Sequence, residues 1–144
     1  MNKVKRLLEV KDRQVWTISK SATVLDALKL MAEKNIGALP VVEGEALIGI
    51  FTERDYARKL GLQGKQAEAI RIEEVMTREL ITVTPDQSVN DCMALMTEKR
   101  IRHLPVLEGG RLVGLVSIGD VVKDIIEELE FFVQQLQNYI TGLR

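Results

Sequence analysis

Apolar positions along this chain change period several times, and the changes mark its elements. Val4, Leu7 and Leu8 stand at helical spacing, so residues 3–10 predict a short lead-in helix before the turn Lys11-Asp12-Arg13. Residues 15–18 read as a short strand. Ser21-Ala22-Thr23 then precede a helix with Val24, Leu25, Leu28, Leu30 and Met31 on one face, ended by Asn35 and Gly37. Residues 39–42 predict a second strand, with Pro40 near its start, where a missing N–H does least harm. Glu43-Gly44-Glu45 turns the chain into a third strand at 46–51, and Thr52-Glu53-Arg54-Asp55 caps a helix at 56–60. Residues 61–74, with Gly61, Gln63, Gly64, Lys65 and Gln66, read as a surface connector.

The pattern then repeats. Residues 81–83 predict a strand, and Pro85-Asp86-Gln87-Ser88 opens a helix with Val89, Met93, Leu95 and Met96 as apolar positions. Two β-branched runs at 104–107 and 112–116 flank Glu108-Gly109-Gly110-Arg111, a hairpin signature. The offset is 65 throughout: Thr17 pairs with Thr82, Asp26 with Asp91, Pro40 with Pro105, Gly49 with Gly114, Thr52 with Ser117 and Asp55 with Asp120. About 16 of 45 positions are identical without a gap, far above chance for segments of this length. Each copy reads β-α-β-β-α. Neither copy can bury both faces of its own sheet at this length, so the two should pack through their sheets about a pseudo-twofold axis. The expected class is α+β, with copies at 10–60 and 75–126, a connector at 61–74 and a helical extension at 127–144.

The final helix breaks the symmetry. It is expected from about Asp120 to Tyr139, with Val122, Ile125, Ile126, Leu129, Phe132, Val133, Leu136 and Ile140 at three- and four-residue steps. The preceding module can cover only its first turns. The rest, with Phe131, predicts a partner helix from a second subunit, hence a homodimer.

Composition narrows the field. The 144 residues carry 46% hydrophobic side chains and a formal net charge of −1, an ordinary globular balance without the basic excess of a nucleic-acid binder. The single cysteine, Cys92, excludes an internal disulfide and falls inside a helix, as a small buried hydrophobe. No apolar run is long enough to cross a membrane, and the start MNKVKRLLEV lacks a signal-peptide core. A cytoplasmic protein is the expectation. No Ser-His-Asp set, no metal-ligand spacing and no phosphate-loop motif is present, so no enzyme is predicted.

The chemistry-bearing groups gather at the repeated corners. Thr52 and Asp55 in one copy, and Ser117 and Asp120 in the other, put a hydroxyl and a carboxylate at a strand-to-helix junction. A carboxylate can accept from both vicinal hydroxyls of a ribose, and an Arg fork suits a phosphate. Arg102 and His103 adjoin the second hairpin, where the first copy has Gly37 and Ala38. The lone histidine has no metal-binding company. Trp16 suits either a core position or stacking on a base.

Leu39-Pro40-Val41 and Leu104-Pro105-Val106, with Gly49 to Asp55 and Gly114 to Asp120, resemble the tandem cystathionine-β-synthase (CBS) domain pair, or Bateman module. The lead-in Val75-Met76-Thr77 fits as well, and the likeness to the small stand-alone bacterial type runs over nearly the whole chain. It implies a regulatory sensor of adenosine-containing ligands (AMP, ADP or ATP, with Mg only as ATP's companion) and no required cofactor. It also implies two clefts built across the copies. One would hold Val15, Trp16, Thr17, Gly37, Ala38 and Pro40 with Ser117 and Asp120. The other would hold Leu80, Ile81, Thr82, Arg102, His103 and Pro105 with Thr52 and Asp55, and would bind phosphate chiefly. An interaction or scaffold protein with degenerate clefts, a binder of NADH or S-adenosylmethionine, and action on a separate protein target are the alternatives.

Overall fold

The computed structural model describes residues 2–12 and 14–142. Helix α1 spans Val4–Val10, and strand β1 spans Ile18–Ser19. Helix α2, Val24–Lys34, is followed by strands β2, Ala38–Glu43, and β3, Ala46–Thr52. Helix α3, Glu53–Tyr56, runs on as a π-helical turn over Ala57–Gly61. The second copy enters through α4, Ile72–Val75, and continues with α5, Val89–Lys99, β4, His103–Glu108, and β5, Arg111–Ser117. Helix α6, Ile118–Gly142, closes the chain. The architecture is α+β: two small sheets, helices on their faces and one long C-terminal helix.

Each copy has its hairpin in the expected place. β2 pairs antiparallel with β3, and β4 with β5; Val41 faces Gly49 and Val106 faces Gly114. Register slips at the same point in both hairpins, after Val41 and after Val106, which bends both sheets alike. The strand expected at 15–18 is shorter and later: only Ile18 and Ser19 pair, in parallel with Val41 and Val42. Residues 14–17 are irregular. The strand expected at 81–83 reduces to one parallel bridge, Val83 to Val106. Short β-branched runs predict extended backbone well but not ladder length, which depends on the neighbouring strand.

Helix starts follow from the sequence. Thr23 and Asp26, Ser88 and Asp91, Thr52 and Asp55, and Ser117 and Asp120 each bond reciprocally, hydroxyl to backbone N–H and carboxylate to backbone N–H. Asn35 ends α2, and Arg100 ends α5, in the left-handed conformation.

The lead-in segments do something the repeat does not announce. Each packs on the other copy. Val4, Leu7 and Leu8 of α1 join the second copy's core with Val89, Cys92, Leu104 and Val116. Ile72, Val75 and Met76 join the first copy's core with Val24, Leu39 and Phe51. Backbone bonds hold the exchange: the Val4 N–H donates to Gln87 O at 2.9 Å, and the Ile72 N–H to Ala22 O at 2.9 Å. The connector expected to lie on the surface is therefore only partly so, since Ile72 is fully buried.

Gly49 and Gly114 make this docking possible. A Cβ on Gly49 would stand 2.7 Å from Met76 Sδ, and one on Gly114 would overlap Leu8 Cδ2. Met76 and Leu8 are thus structural equivalents at an offset of 68, whereas the sheets keep 65. Three extra residues separate lead-in from sheet in the first copy. They put Lys11 where the second lead-in has Glu79.

Helix α6 rests on its module through Val121, Asp124 and Ile125, instead of through Val122. The buried Asp124 accepts from Asn2 Nδ2 at 3.1 Å and faces Arg6 Nε at 3.5 Å, tying the two ends of the chain together. Cys92 lies in the core, fully buried, as expected.

Leu8→Ala should lower unfolding free energy by about 2–5 kcal/mol, because the neighbours of a buried knob close over only part of the space it leaves. Leu62→Ala, at a side chain 82% exposed, should change it by less than about 0.5 kcal/mol. Urea titrations showing equal effects would place Leu8 outside the load the exchange carries.

Candidate functional site

A cavity of about 280 Å³ opens where the two copies meet, at the lower edge of the roughly 300–1,000 Å³ usual for small-molecule sites. The first copy contributes Gly37, Ile50 and the corner Thr52, Glu53, Arg54 and Asp55. The second lead-in contributes Thr77, Glu79, Leu80 and Ile81, and the second hairpin Ile101, Arg102, His103 and Pro105. Most of the second expected set therefore meets in one place; Thr82 lies outside this lining.

Asp55 is the anchor. It is 7% exposed and caps α3 through the Thr52 N–H at 3.0 Å. Thr77 Oγ1 donates to its other oxygen at 3.0 Å, and Lys59 Nζ stands 3.2 Å away. A carboxylate taken out of water needs such donors. The cap and the lead-in thus fix a hydrogen-bond acceptor in the cavity wall. A carboxylate has about four acceptor positions, so capacity remains for one more donor.

Gly37 sets the other wall. Its N–H–bearing neighbour across the corner, Glu53, donates its own backbone N–H to Gly37 O at 3.1 Å, as Ile118 does to Arg102 O at 2.9 Å. A Cβ at Gly37 would lie 2.6 Å from Glu53 Oε1 and 3.6 Å from His103 Cε1. Glycine is what lets these two side chains approach, and Arg102 occupies the equivalent place in the second copy. Gly37, expected in the first cleft, lines this one instead.

Two guanidiniums serve the cavity. Arg102 is exposed at its mouth, and Arg54 is held by a bond from its Nη1 to Arg100 O at 3.0 Å. His103 is different. Burial, then the nearby Lys11 and Arg102, push its pKa down to about 4, against the opposing pull of Asp120. At neutral pH the ring is uncharged, so it offers a hydrogen bond and no positive charge.

The other expected cleft is arranged otherwise. Asp120 caps α6 through the Ser117 N–H at 2.8 Å, and the same oxygen takes Lys11 Nζ at 2.8 Å. Lys11 also donates to Leu115 O at 2.9 Å. Ala38 and Pro40 are buried in the sheet, and Val15 is half-buried. Thr17 and Trp16 are exposed, the indole covered by Lys34 Nζ at 4.2 Å from the ring centroid. Trp16 is neither core nor free to stack on both faces.

Ile50, Glu53, Arg54, Thr77, Glu79 and Ile101 line the cavity without having been singled out by sequence. Arg54 and Glu53 sat inside the noted corner, and Thr77 inside the noted lead-in. Glu79 carried no signal, because its place depends on the three-residue shift of the lead-ins. Among the described residues no cluster of metal-ligating side chains is present, and no helix is long and apolar enough to cross a membrane.

Comparison with known proteins identifies the family and the fold. The CBS-domain family model matches residues 7–61 and 72–127. The CBS domain-containing protein CBSX3, mitochondrial, of Arabidopsis thaliana is 48% identical over 125 residues, 83% of this chain and 61% of that protein. The chain thus spans less than two thirds of that relative's length. A solved protein with CBS domains from Burkholderia ambifaria MC40-6 is 53% identical, with a TM-score of 0.84 over 88% of this chain and 95% of that one. The CBS domain pair of MJ0100, solved in complex with 5-methylthioadenosine and S-adenosyl-L-methionine, is 30% identical, with a TM-score of 0.73 over 86% of this chain and 99% of that one.

The lowered His103 pKa has a sign that can be checked. Between about pH 6.5 and 4 the unfolded chain takes up a proton that the folded chain refuses. Stability is full above that window and falls as pH drops through it, by about 2 kcal/mol between pH 7.5 and 5. Guanidinium titrations of wild type and His103→Gln should show this slope in the former and its loss in the latter; equal slopes would mean the ring is not desolvated.

Proposed function

The chain belongs to the CBS-domain family, whose paired domains are regulatory modules that commonly take adenosine-containing ligands, and from that premise we propose that it senses an adenine nucleotide without turning it over. The observation that carries the reading is the cavity that joins both copies around Asp55, Arg54 and Arg102. Asp55 is the proposed acceptor for the ribose hydroxyls, with Thr52 beside it. Leu80, Ile81, Ile101 and Pro105 supply apolar walls for the adenine. Arg102 and Arg54 take the phosphate, and neutral His103 adds a hydrogen bond. Glu53 and Glu79 oppose a large negative charge, so ATP should gain from Mg²⁺ while AMP should be indifferent to it.

The cleft at Ser117 and Asp120 is the second proposed site. A ligand there would meet Asp120 through Oδ1, because Oδ2 already takes the Ser117 N–H and Lys11 Nζ. Val15, Trp16, Thr17, Ala38 and Pro40 would border it. S-adenosylmethionine and NADH are the rival ligands, the former supported by the MJ0100 complex. Both copies contribute to each cleft, so a ligand resists their separation; that is how a module without catalytic groups would act on a partner.

Calorimetry at pH 7.5 with AMP, ADP, ATP, S-adenosylmethionine and NADH is the test. AMP should bind with about one strong site per chain. Arg102→Ala should weaken AMP by roughly ten- to a hundredfold, the loss of one charge-assisted bond, and leave adenosine nearly unchanged. Asp55→Asn should weaken AMP and adenosine alike. No heat from any adenine nucleotide at millimolar concentration would defeat the reading, and a response to S-adenosylmethionine alone would transfer the site to that ligand.

A further inference from the structure

Each strand-to-helix corner is fastened to a lead-in segment, and the two fastenings differ in charge. At the first, Thr77 supplies two neutral donors: its backbone N–H reaches Ile50 O at 2.8 Å, and its Oγ1 reaches Asp55 Oδ1 at 3.0 Å. Ile50 and Asp55 correspond, at the offset of 65, to Leu115 and Asp120. There a single ammonium replaces both donors. Lys11 Nζ donates to Leu115 O at 2.9 Å and to Asp120 Oδ2 at 2.8 Å. An ammonium has three N–H donors, so these two bonds leave one over, and Asp120 keeps Oδ1. Lys11 is not withdrawn from water, since 34% of its side chain is exposed.

The equivalent position on the other lead-in carries the opposite charge. Glu79 matches Lys11 at the lead-in offset of 68, and it lines the Asp55 cavity together with Glu53 and Asp55, against the guanidiniums of Arg54 and Arg102. One of those guanidiniums, Arg54, already has an N–H on Arg100 O at 3.0 Å. Three carboxylates facing two guanidiniums leave that cavity little attraction for a second or third phosphate. At the second corner Ile118 and Gly119 stand where the first has Glu53 and Arg54, so Asp120 is the one charged group of its own corner. Lys11 adds a cation beside it, and Lys34 Nζ lies 4.2 Å from the ring centroid of Trp16. The charge on Lys11 is felt at His103, whose pKa burial and then Lys11 lower to about 4.

We infer that this pair of lead-in positions sorts ligands by phosphate number: the Asp55 cavity takes the adenosine monophosphate, and the cleft at Asp120, with Lys11 donating to the phosphate chain, takes the metal-free di- or triphosphate. The inference rests on the nucleotide reading and deepens it, because it assigns a different ligand to each of the two proposed sites. In the second, Asp120 Oδ1 accepts from the ribose, and the remaining N–H of Lys11 meets a phosphate oxygen, a charge-assisted bond. In the first, Glu79 repels the same phosphates unless a cation accompanies them.

Calorimetry on the full chain in magnesium-free buffer, with adenosine, AMP and ATP, tests the division. Emission from Trp16, the single tryptophan, shows which cleft is filled. Trp16 borders the proposed Asp120 cleft and is absent from the lining of the Asp55 cavity. ATP should change the emission at a lower concentration than AMP does. Lys11→Gln should weaken ATP by roughly ten- to a hundredfold, the loss of one charge-assisted bond, and leave adenosine nearly unchanged. Lys11→Arg, which keeps the charge, should retain most of the affinity for ATP. Glu79→Gln should strengthen ATP in calorimetry without moving the midpoint read at Trp16. If Lys11→Gln weakens ATP and adenosine alike, Lys11 only holds the corner, as Thr77 does, and the proposal is overturned. ATP heat that Lys11→Gln leaves unchanged, or that comes with no change at Trp16, would overturn it too. These outcomes leave the Asp55 site standing, whereas no heat from any of the three ligands would defeat the nucleotide reading itself.

Discussion

Everything in this fold depends on the exchange of lead-in segments. Neither copy has a complete core from its own residues: the first lacks Ile72, Val75 and Met76, and the second lacks Val4, Leu7 and Leu8. Each borrows them from the other side of the chain. Gly49 and Gly114 are required because the borrowed helix lies against the sheet closer than a Cβ allows. The exchange converts two marginal units of some fifty residues into one body, which is the ordinary remedy for a small core. It also fixes the angle between copies, and therefore the cavity, since Thr77, Glu79, Leu80 and Ile81 are the continuation of a borrowed segment.

The pseudo-symmetry is real at the helix caps and broken at the ligand-facing groups. Asp55 and Asp120 make the same capping box. They then meet different third partners. Thr77 and Lys59 hold Asp55, and Lys11 holds Asp120. The difference traces to one pair of equivalent positions on the two lead-ins. The first carries Lys11, which reaches Asp120, and the second carries Glu79, which lines the cavity. A duplicated sequence has thus produced two carboxylates that each meet a lysine, Asp55 one from the next turn of its own helix and Asp120 one from the exchanged lead-in.

Much of this was legible in the residues. The period changes located the longer helices and both hairpins, since caps such as Thr23 and Asp26 act within four residues and need no tertiary context, whereas the short α4 fell inside the expected connector. The constant offset fixed the twofold logic, and the corner residues Thr52, Asp55, Arg102 and His103 do come together. What stayed hidden is long-range. A run such as 81–83 looks like a strand whether or not a full partner strand is present, and here only Val83 is bridged. Glu79 and Lys11 were invisible because the lead-ins share too few residues to reveal their offset of 68. The state of His103 was hidden for the same reason: burial and the charge on Lys11, not its neighbours in sequence, keep the ring neutral.

Helix α6 shows how the same residues serve structure twice. Its N-terminal cap, Asp120, is the carboxylate of the second proposed cleft, and its second turn carries Asp124, which holds Asn2 and Arg6 of the first lead-in. The helix thus has polar bonds both to one copy's corner and to the other copy's lead-in. Beyond Ile125 nothing in its own chain touches it closely enough to bury a side chain. A lever is rigid where it is held and exposed where it acts. Seventeen further residues of continuous helix, from Ile126 to Gly142, extend roughly 25 Å past the last buried contact. Over that length a small rotation at Asp120 becomes a displacement several times larger at Tyr139 and Ile140.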